Sequence, residues 1–186
     1  MRIIAGKFKG RSINFIKFLT TRPLKDSVRE NIFNVINHSN KFNIRIEESN
    51  VLDLYSGIGS FGLECLSRGA KKVTFVEKNF SVLKILRKNL NSLSVNEKAN
   101  IINGEIENNI DLLVKEKFNI FFFDPPFVDR KFIKNLKNLK KANIHESDHI
   151  VVIHREKNSV DELDKSIQNQ IIKYYGRSKI IFGTFV

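Results

Sequence analysis

The sequence predicts an α/β domain, a mostly parallel sheet with helices on its faces, and three observations carry that prediction. From residue 46 onward, short apolar runs alternate with longer amphipathic ones, the rhythm of strand and helix in such a domain. The run at 118–123, Phe-Asn-Ile-Phe-Phe-Phe, is almost wholly apolar, as a central strand covered on both faces requires. Glycines at 57, 59 and 62 follow one apolar run and open a helical one, where a strand must turn sharply into a helix.

Each element has its own local cause. Residues 51–54 read as a strand, and 61–68 as a helix that Gly69 stops. Residues 72–77 make the second strand. Asn79 is an N-cap for a helix in which Val82, Leu83, Leu86 and Leu90 share one face while Lys84, Arg87 and Lys88 lie off it. Residues 99–102 and 118–123 give two more strands, 130–141 a basic amphipathic helix, 149–153 a fifth strand and 160–167 a weaker helix. The runs 171–175 and 180–185 flank Gly176-Arg177-Ser178, and two strands around so short a turn form an antiparallel hairpin. The first 45 residues break the rhythm: 2–4 and 11–13 bracket a small hairpin, and 26–37 read as a helix behind Pro23. The chain therefore divides into an N-terminal hairpin-and-helix appendage, 1–45, and an α/β core, 46–186.

Composition narrows the partner. With 41% hydrophobic and 28% charged residues, the 186-residue chain has the balance of one folded domain, not of a disordered tail. No apolar run approaches the roughly 20 residues that span a bilayer. The lone Cys65 excludes an intramolecular disulfide, and no charged-then-apolar leader opens the chain, so a monomer in a reducing cytoplasm is expected. The net charge of +12 favours a polyanion, nucleic acid or an anionic membrane surface. The excess is local: residues 1–45 carry ten Lys and Arg against Asp26 and Glu30, a net +8. Arg2, Lys7, Lys9 and Arg11 lie on or beside the hairpin and Arg22, Lys25 and Arg29 at the start of the next helix, so these are the candidate phosphate contacts.

Two constellations carry chemistry. The stretch from Asp53 through Tyr55, Gly57 and Gly59 to Gly62 places glycines where a ligand can approach the backbone, and Asp53, Tyr55, Gly57 and Gly59, with Asp124 further along the chain, are candidate cofactor contacts. Glu77, twenty residues after Gly57, ends the next strand, where a carboxylate can accept hydrogen bonds from both hydroxyls of an adenosine ribose. Dehydrogenases using NAD and methyltransferases using S-adenosylmethionine both need that arrangement. Asp124-Pro125-Pro126-Phe127 separates them, because it follows the apolar strand at its carboxyl end, where open α/β sheets bind ligands. Methylating an exocyclic amine requires acceptors on its two N–H bonds, and the Asp124 carboxylate and Pro125 carbonyl can be those acceptors. Two prolines stiffen the loop, and Phe127 offers a face on which an extruded base can stack. A dehydrogenase has no use for this set.

The chain resembles the bacterial 16S ribosomal RNA guanine-N2 methyltransferases of the small-subunit methyltransferase D type. The opening Met1-Arg2-Ile3-Ile4-Ala5-Gly6-Lys7-Phe8-Lys9-Gly10-Arg11 is similar to the family's basic start, and Thr21-Arg22-Pro23, Asp26, Val28-Arg29-Glu30 and Phe33-Asn34 to its second block. The glycine turn, Gly62-Leu63-Glu64, Leu66-Ser67-Arg68-Gly69-Ala70, Glu77 and Asp124 to Phe127 follow in order. The resemblance implies a Rossmann-like class I methyltransferase fold of seven strands with the last antiparallel. It also implies S-adenosylmethionine as cofactor, with Glu77 on the ribose and Glu105 near the adenine, and 16S rRNA or the assembling small subunit as substrate. The chain departs from the family pattern at Leu24 (usually Thr), Cys65 (usually Ala) and Glu105-Ile106 (usually Asp-Ala). Adenine-N6 methylation of DNA or RNA remains open on chemistry alone, and an NAD-dependent oxidoreductase is the alternative of another class.

Other signals are discounted. His145-Glu146-Ser147-Asp148-His149 matches H-E-x-x-H, but it abuts the strand at 150–153 and lacks an evident third ligand, so no metal is expected. His38 and His154 read as single, solvated residues. Cys65 sits mid-helix between Glu64 and Leu66, as a small packed residue does. Lys131, Lys134, Lys137 and Lys141 are equally well a solvated helix face or RNA contacts.

Overall fold

The computed structural model describes residues 1–15, 24–163 and 166–186. Strands β1 (Asn50–Leu54), β2 (Lys72–Glu77), β3 (Ala99–Asn103), β4 (Phe118–Phe123), β5 (His145–Glu156), β6 (Ile167–Tyr175) and β7 (Ser178–Phe185) form one sheet in the order β3-β2-β1-β4-β5-β7-β6. Strands β1 to β5 pair in parallel, and β7 lies antiparallel between β5 and β6. This is the Rossmann-like sheet expected, seven strands, mostly parallel, with the last antiparallel. Its consequence for function is that β1 lies between β2 and β4, so the chain leaves β1 and β4 side by side at the switch in strand order.

Helices α1 (Asp26–His38), α2 (Ser60–Ser67), α3 (Phe80–Leu93), α4 (Ile110–Leu113) and α5 (Lys131–Lys141) accompany the sheet. Strand alternation sorts the core into two layers. Ile120, Phe122, Ile150 and Val152 bury against the layer containing α1, α2 and α3, where Phe61 stacks between Phe122 at 4.0 Å and Phe33 at 5.1 Å. Phe121, Phe123, Val151 and Ile153 face the other way, onto Phe132, Leu136 and Leu139 of α5. The Asn79 side chain caps α3 by accepting from the backbone N–H groups of Ser81 and Val82.

The N-terminal hairpin is tighter than its sequence suggests. A single antiparallel bridge joins Arg2 to Ser12, supported by Ile3 N–H to Arg11 O and Gly10 N–H to Ile3 O, both 2.9 Å. Gly6 adopts φ +80° against α2, and a Cβ there would fall 1.9 Å from the Ser67 carbonyl oxygen, so only glycine fits. Ile3, Phe8 and Ile13 of the hairpin and Val28, Ile32 and Phe33 of α1 join the same buried layer as α2. These described residues of the N-terminal segment thus share the core.

Two elements differ from expectation. The weak helix expected at 160–167 is not seen among the described residues: 160–163 are irregular, and Ile167 begins β6, paired with Phe185. Tertiary partners override the helical pattern, since Asp161 is drawn into ion pairs with Arg155 and Lys179. Strand β5 begins at His145, four residues early, because His145 pairs with Phe118 before the register shifts, the extra residues lying in β5 between His145 and Ile150.

Candidate active site

The glycine turn between β1 and α2 bends through three positive φ values, 58° at Tyr55, 55° at Gly57 and 83° at Gly59. At Gly59 a Cβ would collide with Leu86 at 2.4 Å, whereas beside Gly57 nothing but the Tyr55 carbonyl lies within 4 Å, so the turn is open where a ligand would approach. Glu77 anchors this turn from the end of β2. Its Oε2 accepts the Gly57 N–H at 2.9 Å and its Oε1 the Asn79 N–H at 2.8 Å, so one carboxylate ties the glycine turn to the start of α3. Each oxygen keeps a lone pair for a hydroxyl.

Asp53 has a structural role at the foot of the turn. It is buried, and its Oδ2 accepts the Gly62 N–H at 3.0 Å, so it holds the first turn of α2. Burial pushes its carboxyl well above the usual carboxylate range. The Tyr55 hydroxyl accepts from Asn135 Nδ2 of α5 at 3.0 Å, and burial raises its pKa. Glu105, just past β3, accepts from Lys78 Nζ at 3.2 Å, which holds its carboxyl below the ordinary value. Ser56 Oγ, in the turn itself, is buried with no hydrogen-bond partner among the described residues.

The loop after β4 lies alongside. The Asp124 N–H donates to Leu54 O at 3.3 Å, joining the two loops at their roots. Pro125 is buried, Pro126 is exposed, and Phe127 is 41% exposed at the rim. The Pro126 carbonyl closes a turn by accepting from Asp129 N–H at 2.8 Å. Arg155 of β5 then clamps the loop: Nη1 donates to Pro126 O at 3.2 Å and Nη2 to Phe127 O at 3.0 Å. Its Nε faces Asp161 at 3.2 Å and its guanidinium lies over the Phe132 ring, 4.4 Å from the centroid. On the opposite face of β5, His154 Nδ1 meets Asp124 Oδ1 at 2.8 Å.

The model of the family described as conserved hypothetical protein 95 matches residues 1–184. The ribosomal RNA small subunit methyltransferase D of Buchnera aphidicola subsp. Baizongia pistaciae is 31% identical over 183 residues, covering 97% of this chain and 88% of that one. The chain belongs to this methyltransferase D family. The member from Haemophilus influenzae is 39% identical over 132 residues, covering 68% of this chain and 64% of its own length. Among solved structures, yhhF of Escherichia coli superposes with a TM-score of 0.77 at 27% identity, covering 100% of this chain and 98% of that one. The Thermus protein TTHA0928 shares the fold at a TM-score of 0.80 and 20% identity, covering 99% of each chain.

In this methyltransferase D family member, the basic N-terminal residues divide. Arg2, Lys7, Lys9, Arg11 and Lys25 are exposed, and Arg22 lies outside the described residues. Arg29 is a correction: its side chain is wholly buried, 3.0 Å from Asp26 and 3.9 Å from Glu64, and it donates to the Arg2 carbonyl. It braces the hairpin and cannot reach a phosphate. The other partner, Glu64 of α2, is also fully buried and accepts from Ile4 N–H at 2.8 Å, Ala5 N–H at 2.9 Å and Arg68 Nε at 2.9 Å. The Lys131, Lys134, Lys137 and Lys141 side of α5 is exposed.

His154 is a second correction. Only 6% exposed, it is built into the site and is not a solvated residue. Sequence reading missed both His154 and Arg155, although their position directly after the apolar run 150–153 placed them at the end of the strand beside β4. His145 and His149 lie on a strand, with His149 Nδ1–H donating to Glu146 O at 2.8 Å and its Nε2 accepting from Phe185 N–H at 2.9 Å. Cys65 is buried in α2, and burial pushes its thiol well above the ordinary value.

Proposed function

We propose that this chain transfers a methyl group from S-adenosylmethionine to the exocyclic N2 amine of a guanine in 16S ribosomal RNA, in the free RNA or the assembling small subunit. The observation that carries the reading is the junction of the Asp124 loop with the Glu77-anchored glycine turn through Leu54. The relatives named above are called ribosomal RNA small subunit methyltransferases, which favours ribosomal RNA over DNA as the substrate. S-adenosylmethionine supplies, when bound, an electrophilic methyl group on sulfur. Glu77 and the backbone of Gly57 would hold its ribose, with Glu105 and Tyr55 at the margins of the same cleft. The open space at Gly57 and the unpartnered Ser56 Oγ fit a polar nucleoside there.

The chain's own residues do the work on the amine. The Asp124 carboxylate and Pro125 carbonyl accept its two N–H bonds, orient its lone pair and stabilise the positive charge that grows on nitrogen. Phe127 stacks on the extruded base. Arg155, by holding the carbonyls of Pro126 and Phe127, keeps this loop in one shape before RNA arrives. Among the described residues no helix is long and apolar enough to cross a membrane. We place the enzyme in the cytoplasm, with its substrate.

Two expected outcomes test the division of labour. Glu77→Ala should weaken binding of S-adenosylhomocysteine, the demethylated product, by about 10-fold or more in a calorimetric titration, because each charge-assisted hydrogen bond is worth ~1.5–3 kcal/mol. Unchanged affinity would mean that the ribose sits elsewhere. Neutralising Lys7, Lys9 and Arg11 together should flatten the salt dependence of RNA binding, by about 0.7–0.9 log units of slope per lost phosphate contact. Affinity for S-adenosylhomocysteine and melting temperature should hold, since these three side chains point outward while Ile3, Phe8 and Ile13 carry the packing. An unaltered salt slope would remove the docking role from the hairpin.

A further inference from the structure

His154 stands between the catalytic loop and the C-terminal hairpin. Its Nδ1 lies 2.8 Å from Asp124 Oδ1 and its Nε2 2.9 Å from Ser178 Oγ, so both ring nitrogens are engaged on a side chain that is almost entirely buried. The Phe127 ring meets the imidazole edge-on, with centroids 5.4 Å apart. A carboxylate oxygen can only accept, so Nδ1 must carry the proton that it shares with Asp124. Ser178 sits at the first residue of β7 and reaches His154 across the β5–β7 pairing, in which His154 is opposite Ile180. The last hairpin of the fold thereby fixes the ring.

From this geometry we propose that His154 is a positioning residue for Asp124. Its Nδ1–H holds Oδ1, which fixes the carboxylate rotamer and leaves Oδ2 as the acceptor for the base amine, while the ring edge seats Phe127 beside it. The step assigned to His154 is a hydrogen bond alone, with no proton transferred. The proposal rests on amine methylation as the function of the site, and it separates two ways of using a histidine. A donor at Nδ1 can be replaced by the amide of asparagine, whereas a group that must take up a proton cannot.

The test compares His154→Leu with His154→Asn in steady-state methylation of small-subunit RNA, each checked for S-adenosylhomocysteine affinity and melting temperature. The leucine variant should lose about 10- to 100-fold in kcat, the cost of a misplaced reacting group, with little change in KM for RNA or in product affinity. The asparagine variant should recover most of that loss. Equal loss in both variants, or wild-type kcat in the leucine variant, would overturn the proposal. A parallel measurement does not need turnover: long-range proton–nitrogen spectra of the protein alone should show His154 protonated at Nδ1, with its resonances moving in Asp124→Ala. A ring protonated only at Nε2 would overturn the inference even if no RNA were methylated, whereas an inactive wild-type enzyme with the Nδ1 proton in place would fault the assigned reaction instead.

Discussion

Asp124→Ala is expected to slow methyl transfer by on the order of 100-fold or more, the cost of removing one preorganised group that stabilises developing charge. Affinity for S-adenosylhomocysteine should change far less, because the ribose anchor is Glu77 and the Asp124 carboxylate faces His154 and the open rim. The variant also strands the Nδ1–H of a buried imidazole, so a loss of roughly 1–3 kcal/mol in stability should accompany the loss of rate. Asp124→Asn separates the two effects, since it keeps an oxygen acceptor without the charge and should fall between alanine and wild type. Near-normal turnover in Asp124→Ala, measured as methyl incorporation into RNA under saturating substrates, would refute its place in the reaction.

The largest stability effect is expected far from the chemistry, at Glu64. Its carboxylate is fully buried, accepts from the Ile4 and Ala5 N–H groups and from Arg68 Nε, and faces the equally buried Arg29 guanidinium at 3.9 Å. Glu64→Ala removes one of the two carboxylates beside the buried Arg29 guanidinium and takes the acceptor from Arg68 and two amides, which costs about 3–5 kcal/mol. The hairpin should loosen first, because these bonds and the Ser67 contacts to Ala5, Lys7 and Phe8 pin it to α2. Urea denaturation should therefore show a lower midpoint, and amide exchange should quicken in residues 1–13 ahead of the sheet. A variant as stable as wild type would show that this buried cluster is not a structural keystone. If the hairpin docks RNA, affinity for RNA should fall with it while cofactor affinity persists.

The sheet was legible because its strands are short apolar runs bounded by glycine, asparagine and charge, and the antiparallel hairpin because Gly176-Arg177-Ser178 allows no crossover. The glycine turn, Glu77 and the Asp124 loop were legible for a related reason: they sit at strand ends fixed by the same pattern. The roles of Asp53, Arg29 and His154 were not. The bond from Gly62 to Asp53 follows from the register of β1, and Arg29 looks like a phosphate contact until α1 packs it beside Glu64. His154 gains its partners from residues 30 positions earlier and 24 later, a meeting that only the β4-β5-β7 order creates. Buried polar networks depend on tertiary register, which periodicity along the chain does not encode. The failed helix at 160–167 has the same origin, since Arg155 and Lys179 capture Asp161 across the fold.

The most direct test of the central claim is to incubate the purified protein with small-subunit RNA, free and in partly assembled subunits, and S-adenosylmethionine labelled in the methyl group, then digest the RNA and identify the labelled nucleoside. The expected product is N2-methylguanosine, formed at a single site and abolished or greatly slowed in Asp124→Ala. Label in N6-methyladenosine would contradict the guanine assignment while preserving the amine chemistry, and absence of transfer to any ribosomal RNA, with the wild-type protein folded and binding cofactor, would contradict the function itself.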